Sequence, residues 1–218
     1  MIRFRITRGN PNKIPLSYVL TGREREYVVV ELDYQETERR LIELARDGDK
    51  EAFGELVQRF YPGVVAVVYR LCGEVTLAED VAQETFVRAW LNLSSFQLPA
   101  PFRNWLYRIA VNLAFDRLRQ RRALPVTTAM EIQEMADPSE DPETVVVKRE
   151  QATRIQQAIQ SLPPAARAVL VLREYGGLSY QEIATTLDIP PGTVMSRLSY
   201  ARERLRCLLL ELVEEHHA

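Results

Sequence analysis

Leu178 to Arg206 reads LSYQEIATTLDIPPGTVMSRLSYARERLR, two helical patterns separated by a Pro-Gly turn. Ser179 is suited to cap the first helix, and Glu182 three residues later completes a capping box. Ile183, Ala184 and Leu187 then supply an apolar face at helical spacing. Asp188-Ile189-Pro190-Pro191-Gly192 must interrupt that helix, because proline lacks a donor and clashes with the preceding turn. From Thr193 a second helix can reopen with Val194, Leu198, Ala201 and Leu205 inward. That leaves Ser196, Arg197, Ser199, Tyr200, Arg202 and Arg204 outward or on the flanks. Such a pair, polar and basic on its outer face, makes a helix-turn-helix. An ordinary helical hairpin with a solvated basic face is the alternative that this stretch alone leaves open.

The remainder of the chain narrows the choice. With 218 residues, 46% of them hydrophobic and 27% charged, it suits one or two globular domains. No apolar run approaches the ~20 residues of a membrane span, and the N-terminus lacks a signal peptide's apolar core. A cytoplasmic protein without membrane insertion is expected. Cys72 and Cys207 lie far apart in apolar helical contexts, without metal-ligand spacing, and read as small packed side chains. A net charge of −2 does not by itself point to nucleic acid, so the argument rests on local charge.

Residues 1–36 differ from everything after them. Ile2 to Ile6 alternates with period two and Tyr27 to Leu32 is rich in β-branched residues, so both resemble short strands around a turn at Gly9 to Lys13. A hairpin appendage, a disordered arm, and sequence upstream of the true start all fit, and no function is assigned to it.

From 37 to 122 the pattern is helical. Asp49 can cap a helix whose apolar stripe is Ala52, Phe53, Leu56, Val57 and Phe60. Pro62-Gly63 is expected to kink or restart it, and Val64 to Leu71 to be buried nearly all round. In the next helix Leu77, Val81, Ala82, Phe86, Ala89, Trp90 and Leu93 face the core, while Asp80, Gln83, Glu84 and Val87 share the opposite side. On spacing alone that side reads as a solvated acidic face; the sharper alternative is a dock for a basic partner. A Ser- and Pro-rich loop follows, with Phe96 and Phe102 at its rim. The helix from Phe102 to Arg122 turns Trp105, Leu106, Ile109, Ala110 and Leu113 inward. Its other sides carry Arg103, Arg108, Arg117, Arg119, Arg121 and Arg122 against the lone acid Asp116, a strip suited to phosphates or to solvent. Exposed Asn104 and Asn112 can add hydrogen bonds to bases or sugars.

Residues 123–147 are acidic, contain prolines and show no sustained periodicity, the composition of a flexible linker. Residues 148–213 form a second helical domain that ends in the opening stretch. The expected fold is therefore all-α: two helical domains, a flexible acidic linker, and an N-terminal extension of β character.

With these residues in view, the chain resembles the sigma-70 family of RNA polymerase sigma factors, in particular the extracytoplasmic-function (ECF) group that keeps only regions two and four. The matching words are Ala78 to Phe86 (AEDVAQETF), Phe102 to Asn112 (FRNWLYRIAVN), Leu162-Pro163-Pro164, and Leu178 to Ala184 through Pro191 to Val194. They stand in family order at family spacing over roughly residues 38 to 210. The resemblance implies that Asp80, Gln83, Glu84 and Val87 contact the clamp coiled coil of the largest subunit of core RNA polymerase. It implies that Ser94 to Pro101 forms a pocket for a flipped base of the −10 promoter element, lined by Phe96 or Phe102. Arg103, Asn104, Arg108, Asn112 and Arg119 would hold the strand. Thr193, Ser196, Arg197, Ser199, Tyr200 and Arg202 would read the −35 element in the major groove of promoter DNA. An anti-sigma factor that masks both domains is a further implied partner.

Two departures bear on specificity. Met195 and Tyr200 stand where the family often carries a basic residue, so the −35 sequence is expected to be unusual. No nucleophile–base pair, glycine-rich phosphate loop or metal cluster argues for an enzyme, and no cofactor is expected. The competing reading is a stand-alone helix-turn-helix repressor or activator that binds duplex DNA without polymerase.

Overall fold

Asp49 stands at the first helical junction, and its Oδ1 accepts the backbone N–H groups of Glu51 and Ala52 at 2.9 and 3.1 Å. Two donors that the first turn of the next helix leaves without an internal partner are thereby satisfied. That junction joins α1 (Tyr34–Arg46) to α2 (Lys50–Cys72). The structure, a computed structural model, describes residues 34–122 and 142–214. The strand-like segments expected near the N-terminus lie outside the described residues, as does the expected linker up to residue 141.

The chain divides into two units, Met1–Gln58 and Arg59–Ala218, with the division falling inside α2. In the first, Leu41, Ile42 and Ala45 of α1 and Ala52 and Leu56 of α2 are buried. In the second, the rest of α2 is followed by α3 (Val75–Leu91), a 3-10 turn at Leu93–Ser95, α4 (Phe102–Arg122), α5 (Pro142–Ser161), α6 (Pro164–Glu174), α7 (Tyr180–Leu187) and α8 (Pro191–Glu214). Among the described residues there is no strand.

Two expectations about α2 are corrected. It runs unbroken through Pro62, so of the expected kink or restart the restart does not occur. A proline inside a helix costs about 3 kcal/mol, and continuing the helix buries Val64, Val67, Val68 and Leu71, each worth roughly 1.5–3 kcal/mol. Nor is the segment buried all round, since Ala66 is exposed. Likewise α5 is already helical from Pro142, inside the expected linker, because proline's fixed φ and missing donor suit the first position of a helix.

The pairing of α4 organises the second unit. It packs on α3 along one side and on α7 and α6 along another, while α8 packs on α6, α7 and α5. The buried face of α4 is accordingly wider than one stripe. Tyr107, Val111 and Ala114 are buried in addition to Leu106, Ala110 and Leu113. Where α6 gives way to the helix-turn-helix, Gly176 permits the close approach of Tyr107. A Cβ there would stand 3.1 Å from the Tyr107 ring and 2.7 Å from the Leu172 carbonyl oxygen.

The C-terminal turn of α2 is completed by side chains from α5 and α6. Gln156 Nε2 donates to the carbonyls of Tyr69 and Arg70, each at 3.3 Å, and Gln160 Nε2 donates to those of Arg70 and Leu71 at 3.0 and 3.1 Å. Arg167 Nη1 also reaches the Leu71 carbonyl, at 2.8 Å. The last carbonyls of a helix need partners from outside it, and here they come from far along the chain. Arg70 reciprocates, donating to Gln156 Oε1 at 3.0 Å and lying 4.6 Å from the centre of the Tyr175 ring.

Candidate nucleic-acid interface

The outer face of α3 follows from its inner one. Leu77, Ala78, Val81, Ala82, Thr85, Phe86 and Ala89 are buried, which turns Asp80, Gln83 and Val87 to the exterior. Val87 is 58% exposed and Leu91, one turn on, 71%, so the acidic face carries an apolar edge. Leu91 escaped the sequence reading; its i+4 spacing from Val87 was the available signal. Glu84 is different. It is half-buried and accepts from Arg88 at 2.5 Å and from Arg117 of α4 at 2.6 Å. Those hydrogen bonds, the one from Arg117 foremost, hold its carboxyl below the usual range against the opposing effect of burial. Its charge ties α3 to α4, whereas the Asp80 carboxylate and the Gln83 amide are exposed.

The strip on α4 is borne by a helix whose inner face is fixed by packing. Asn104, Arg108 and Asn112 recur at four-residue intervals and so lie along one side; Arg108, Asn112 and Arg119 are exposed. Arg119 is paired with Asp116, Arg117 with Glu84 and Arg121 with Glu74. Asn104 is not exposed as expected. Its Nδ2 donates to Glu182 Oε1 of α7 at 3.0 Å, and the Arg103 guanidinium lies 3.9 Å from the same oxygen.

Phe96 and Phe102 are not at a rim. They are 2% and 0% exposed, centred 5.3 Å apart, with Trp105 at 5.2 and 5.6 Å from them and Phe60 at 5.5 Å from Phe102. In this arrangement neither ring offers a face to a base. Large aromatics gain most from complete burial, and the loop is short enough to draw Phe96 inward. Ser94, Ser95, Gln97, Pro99, Ala100 and Pro101 form its exposed surface.

The helix-turn-helix is formed by α7 and α8. Ser179 Oγ accepts from the Glu182 N–H at 3.3 Å, and the Ser179 N–H donates to Glu182 Oε2 at 2.8 Å, the expected capping box. Asp188 closes α7 in the left-handed region, with φ 54°, a conformation its short polar side chain tolerates better than most. Pro191 then opens α8, slightly ahead of the expected start. Val194, Leu198 and Ala201 are buried, while Met195 and Tyr200 are 52% and 51% exposed. Ser196 and Ser199 are exposed, Thr193 and Arg197 partly so. Arg202, also exposed, is held by Glu174 of α6 at 2.8 Å.

One further residue passed unnoticed in the sequence, as did the second role of another. Arg167 is buried on α6 between apolar neighbours, a lone arginine on an inward face being the visible sign. Glu182 was read only as a cap, and nothing local signals its second partner, Asn104. Among the described residues no group of three or more His, Cys, Asp or Glu side chains is placed to hold a metal ion. No described helix is long and apolar enough to cross a membrane.

Comparison with known proteins gives two family matches: sigma-70 region 2 over residues 56–124 and sigma-70 region 4 over residues 152–205. The chain is 40% identical over 180 residues to the ECF RNA polymerase sigma factor SigW of Bacillus subtilis, covering 78% of this chain and 96% of that one. It is 37% identical over 189 residues to the RNA polymerase sigma-H factor of Pseudomonas aeruginosa, covering 83% and 98%. Among solved structures it is similar to CnrH in complex with the cytosolic domain of CnrY, with a TM-score of 0.63 and 31% identity over 79% of this chain and 97% of that one.

Proposed function

The chain belongs to the sigma-70 family, in its extracytoplasmic-function group, and from that membership we propose how its surfaces divide the work of directing transcription initiation. Residues 37–122 serve as region two and residues 148–213 as region four. The outer face of α3, with Asp80, Gln83 and Val87 and now Leu91, docks on the clamp coiled coil of core RNA polymerase; Glu84 takes part while anchored to α4. A carboxylate beside an apolar edge suits a basic coiled coil, because charge steers the encounter and apolar burial supplies affinity.

Arg103, Asn104, Arg108, Asn112 and Arg119 hold the opened strand of the −10 element, with cationic groups on phosphates and amides on base or sugar edges. Thr193, Ser196, Arg197, Ser199, Tyr200 and Arg202 read the −35 element through the exposed side of α8. Phe96 and Phe102 serve as the packed floor beneath the loop rather than as stacking faces. The protein works by binding energy alone: unstacking one base costs a few kcal/mol, and contacts made only with the opened strand offset it. An anti-sigma partner belongs to the same reading, and CnrH, similar in structure, is itself held by the cytosolic domain of a second protein.

What carries this proposal is the conjunction, on one chain, of an outward acidic and apolar helix face, an arginine–asparagine stripe and a helix-turn-helix. A stand-alone repressor needs only the last. Run-off transcription with purified core polymerase is the test. The expected result is a promoter-specific transcript and co-elution with core. Binding of a duplex without polymerase, and no transcript with it, would overturn the assignment.

A further inference from the structure

From Pro191 to Tyr200 the second helix of the helix-turn-helix reads PGTVMSRLSY, in which Arg197 is the one charged residue and Asn, Gln, Asp and Glu do not occur. This is the half that meets base edges, since a recognition helix enters the major groove by its N-terminal residues. Its chemistry is therefore restricted. The amide that pairs with adenine and the carboxylate that pairs with cytosine are absent, and guanine has only Arg197, half-buried on a flank. The hydroxyls of Thr193, Ser196 and Ser199 both donate and accept, so they discriminate little between bases. Ser196 Oγ already donates to the Thr193 carbonyl at 3.1 Å. Farther along, Arg202 is held by Glu174 and Arg206 by Glu203, each at 2.8 Å.

Two side chains on this surface differ from the rest in size and polarity. Met195 is 52% exposed and Tyr200 51%, so both hold apolar surface in water, outside the core that Val194, Leu198 and Ala201 form. Between them around the helix lie Gly192, Ser196 and Ser199, all small and exposed. A Cβ at Gly192 would meet nothing within 4 Å, and its φ is not positive, so the fold itself does not require glycine there. A face that is small along its middle and apolar on both sides lets the helix settle close to base edges. Apolar side chains then meet the apolar group that the major groove displays, the 5-methyl of thymine.

We propose that Met195 and Tyr200 recognise thymine in the −35 element through its methyl group. At about 3.6 residues per turn they lie roughly 140° apart around the axis of α8, and so read thymines on opposite strands. This deepens the assignment of α8 to the −35 element and rests on it. A cation at either position would add a phosphate contact that holds every sequence alike. An apolar group gains only where a methyl is buried with it.

The test uses holoenzyme assembled from the full chain and purified core polymerase. A duplex pool randomised across the promoter is enriched by binding, and the enriched duplex is remade with deoxyuridine for thymidine at the −35 element, one strand at a time. That exchange removes the methyl group and leaves the hydrogen-bonding edge intact. Each methyl lost should weaken binding by the wild type about fourfold. Met195→Ala should be indifferent to uracil in one strand and keep the wild-type response in the other. Tyr200→Ala should show the opposite pattern, and Tyr200→Phe, which keeps the ring, should respond as the wild type does. Met195→Lys should lose the same response as Met195→Ala and steepen the slope of log affinity against log salt by roughly 0.9. Thermal melts establish that the variants are folded. The proposal is overturned if uracil does not weaken binding by the wild type, or if the alanine variants respond to it in both strands. Enrichment of a −35 element without methyl dependence leaves the assignment of α8 standing and removes this proposal alone. If no −35 element is enriched, the assignment falls and the proposal with it.

Discussion

Arg167 Nη1 donates to the carbonyl of Leu71 at 2.8 Å, joining α6 to the last turn of α2 across most of the second unit's sequence. The same guanidinium donates to Gln160 Oε1 at 2.7 Å, to the Leu162 carbonyl at 3.0 Å and to the Gln160 carbonyl. A buried cation is tolerated when its donors are met, and here backbone carbonyls and an amide meet those of the two Nη groups.

Arg167→Met keeps much of the side chain's volume but removes these donors from the Gln160 and Leu162 carbonyls and leaves the Leu71 carbonyl with Gln160 alone. Hydrogen bonds to charged groups are worth about 1.5–3 kcal/mol, so a loss of roughly 3 kcal/mol is expected. Thermal denaturation should show a midpoint lowered by about 6–12 °C for a chain of this size. A shift within a degree or two would mean that water replaces the lost donors.

On α3, Asp80→Arg with Gln83→Ala inverts the charge of an exposed face without touching the core. Affinity for core polymerase should fall about tenfold or more, equivalent to about 1.4 kcal/mol, while the circular dichroism melt is unaltered. Equal affinity would return this helix to a solvated acidic face.

Arg108→Ala should weaken engagement of the −10 strand by the holoenzyme and lower the slope of log affinity against log salt by roughly 0.7, the contribution of one phosphate contact to a single strand. An unaltered slope would mean that Arg108 meets no phosphate.

The Glu182 carboxyl is pushed up by burial, but the hydrogen bonds from Asn104 and Ser179 and the nearby Arg103 charge outweigh that and hold it below its ordinary 4.5. Its contribution to stability is therefore full above that value and drains away as pH falls through the lowered one. The difference in melting temperature between wild type and Glu182→Gln should be constant near neutrality and shrink below pH 4.5. A difference that grows on acidification would contradict the assigned direction.

Burial pushes the Cys72 thiol up to about 12, against the opposing charges of Arg167 and Arg121. Thiolate, the reactive form, is then scarce in the folded protein. Iodoacetamide at mildly alkaline pH should modify Cys72 slowly until denaturant is added, as followed by mass spectrometry of the labelled peptide. Rapid labelling of the native protein would show the thiol to be open to solvent.

The sequence by itself determined the local architecture. Ser179, Glu182 and Asp188 place the ends of α7, and the Pro-Gly turn places the start of α8 to within two residues of the expected Thr193, because capping and proline geometry act over three or four residues. The face of α3 followed from periodicity, since a buried side fixes its opposite. The order of the four words, through their resemblance to a family, named the partners that composition and net charge did not. What tertiary structure decided was everything that depends on a second element. Pro62 stayed inside α2 because burial beyond it outweighed a lost donor. Phe96 and Phe102 went inward because they close a ring cluster with Trp105, which Phe60 of α2 joins from far along the chain. Glu84 became an anchor when α4 brought Arg117 beside it. Glu182 acquired Asn104, and the end of α2 acquired Gln156, Gln160 and Arg167, through contacts between residues more than seventy positions apart. A cap or an apolar stripe is encoded by spacing along the chain, whereas a hydrogen bond between distant side chains is encoded only by the packing that brings them together.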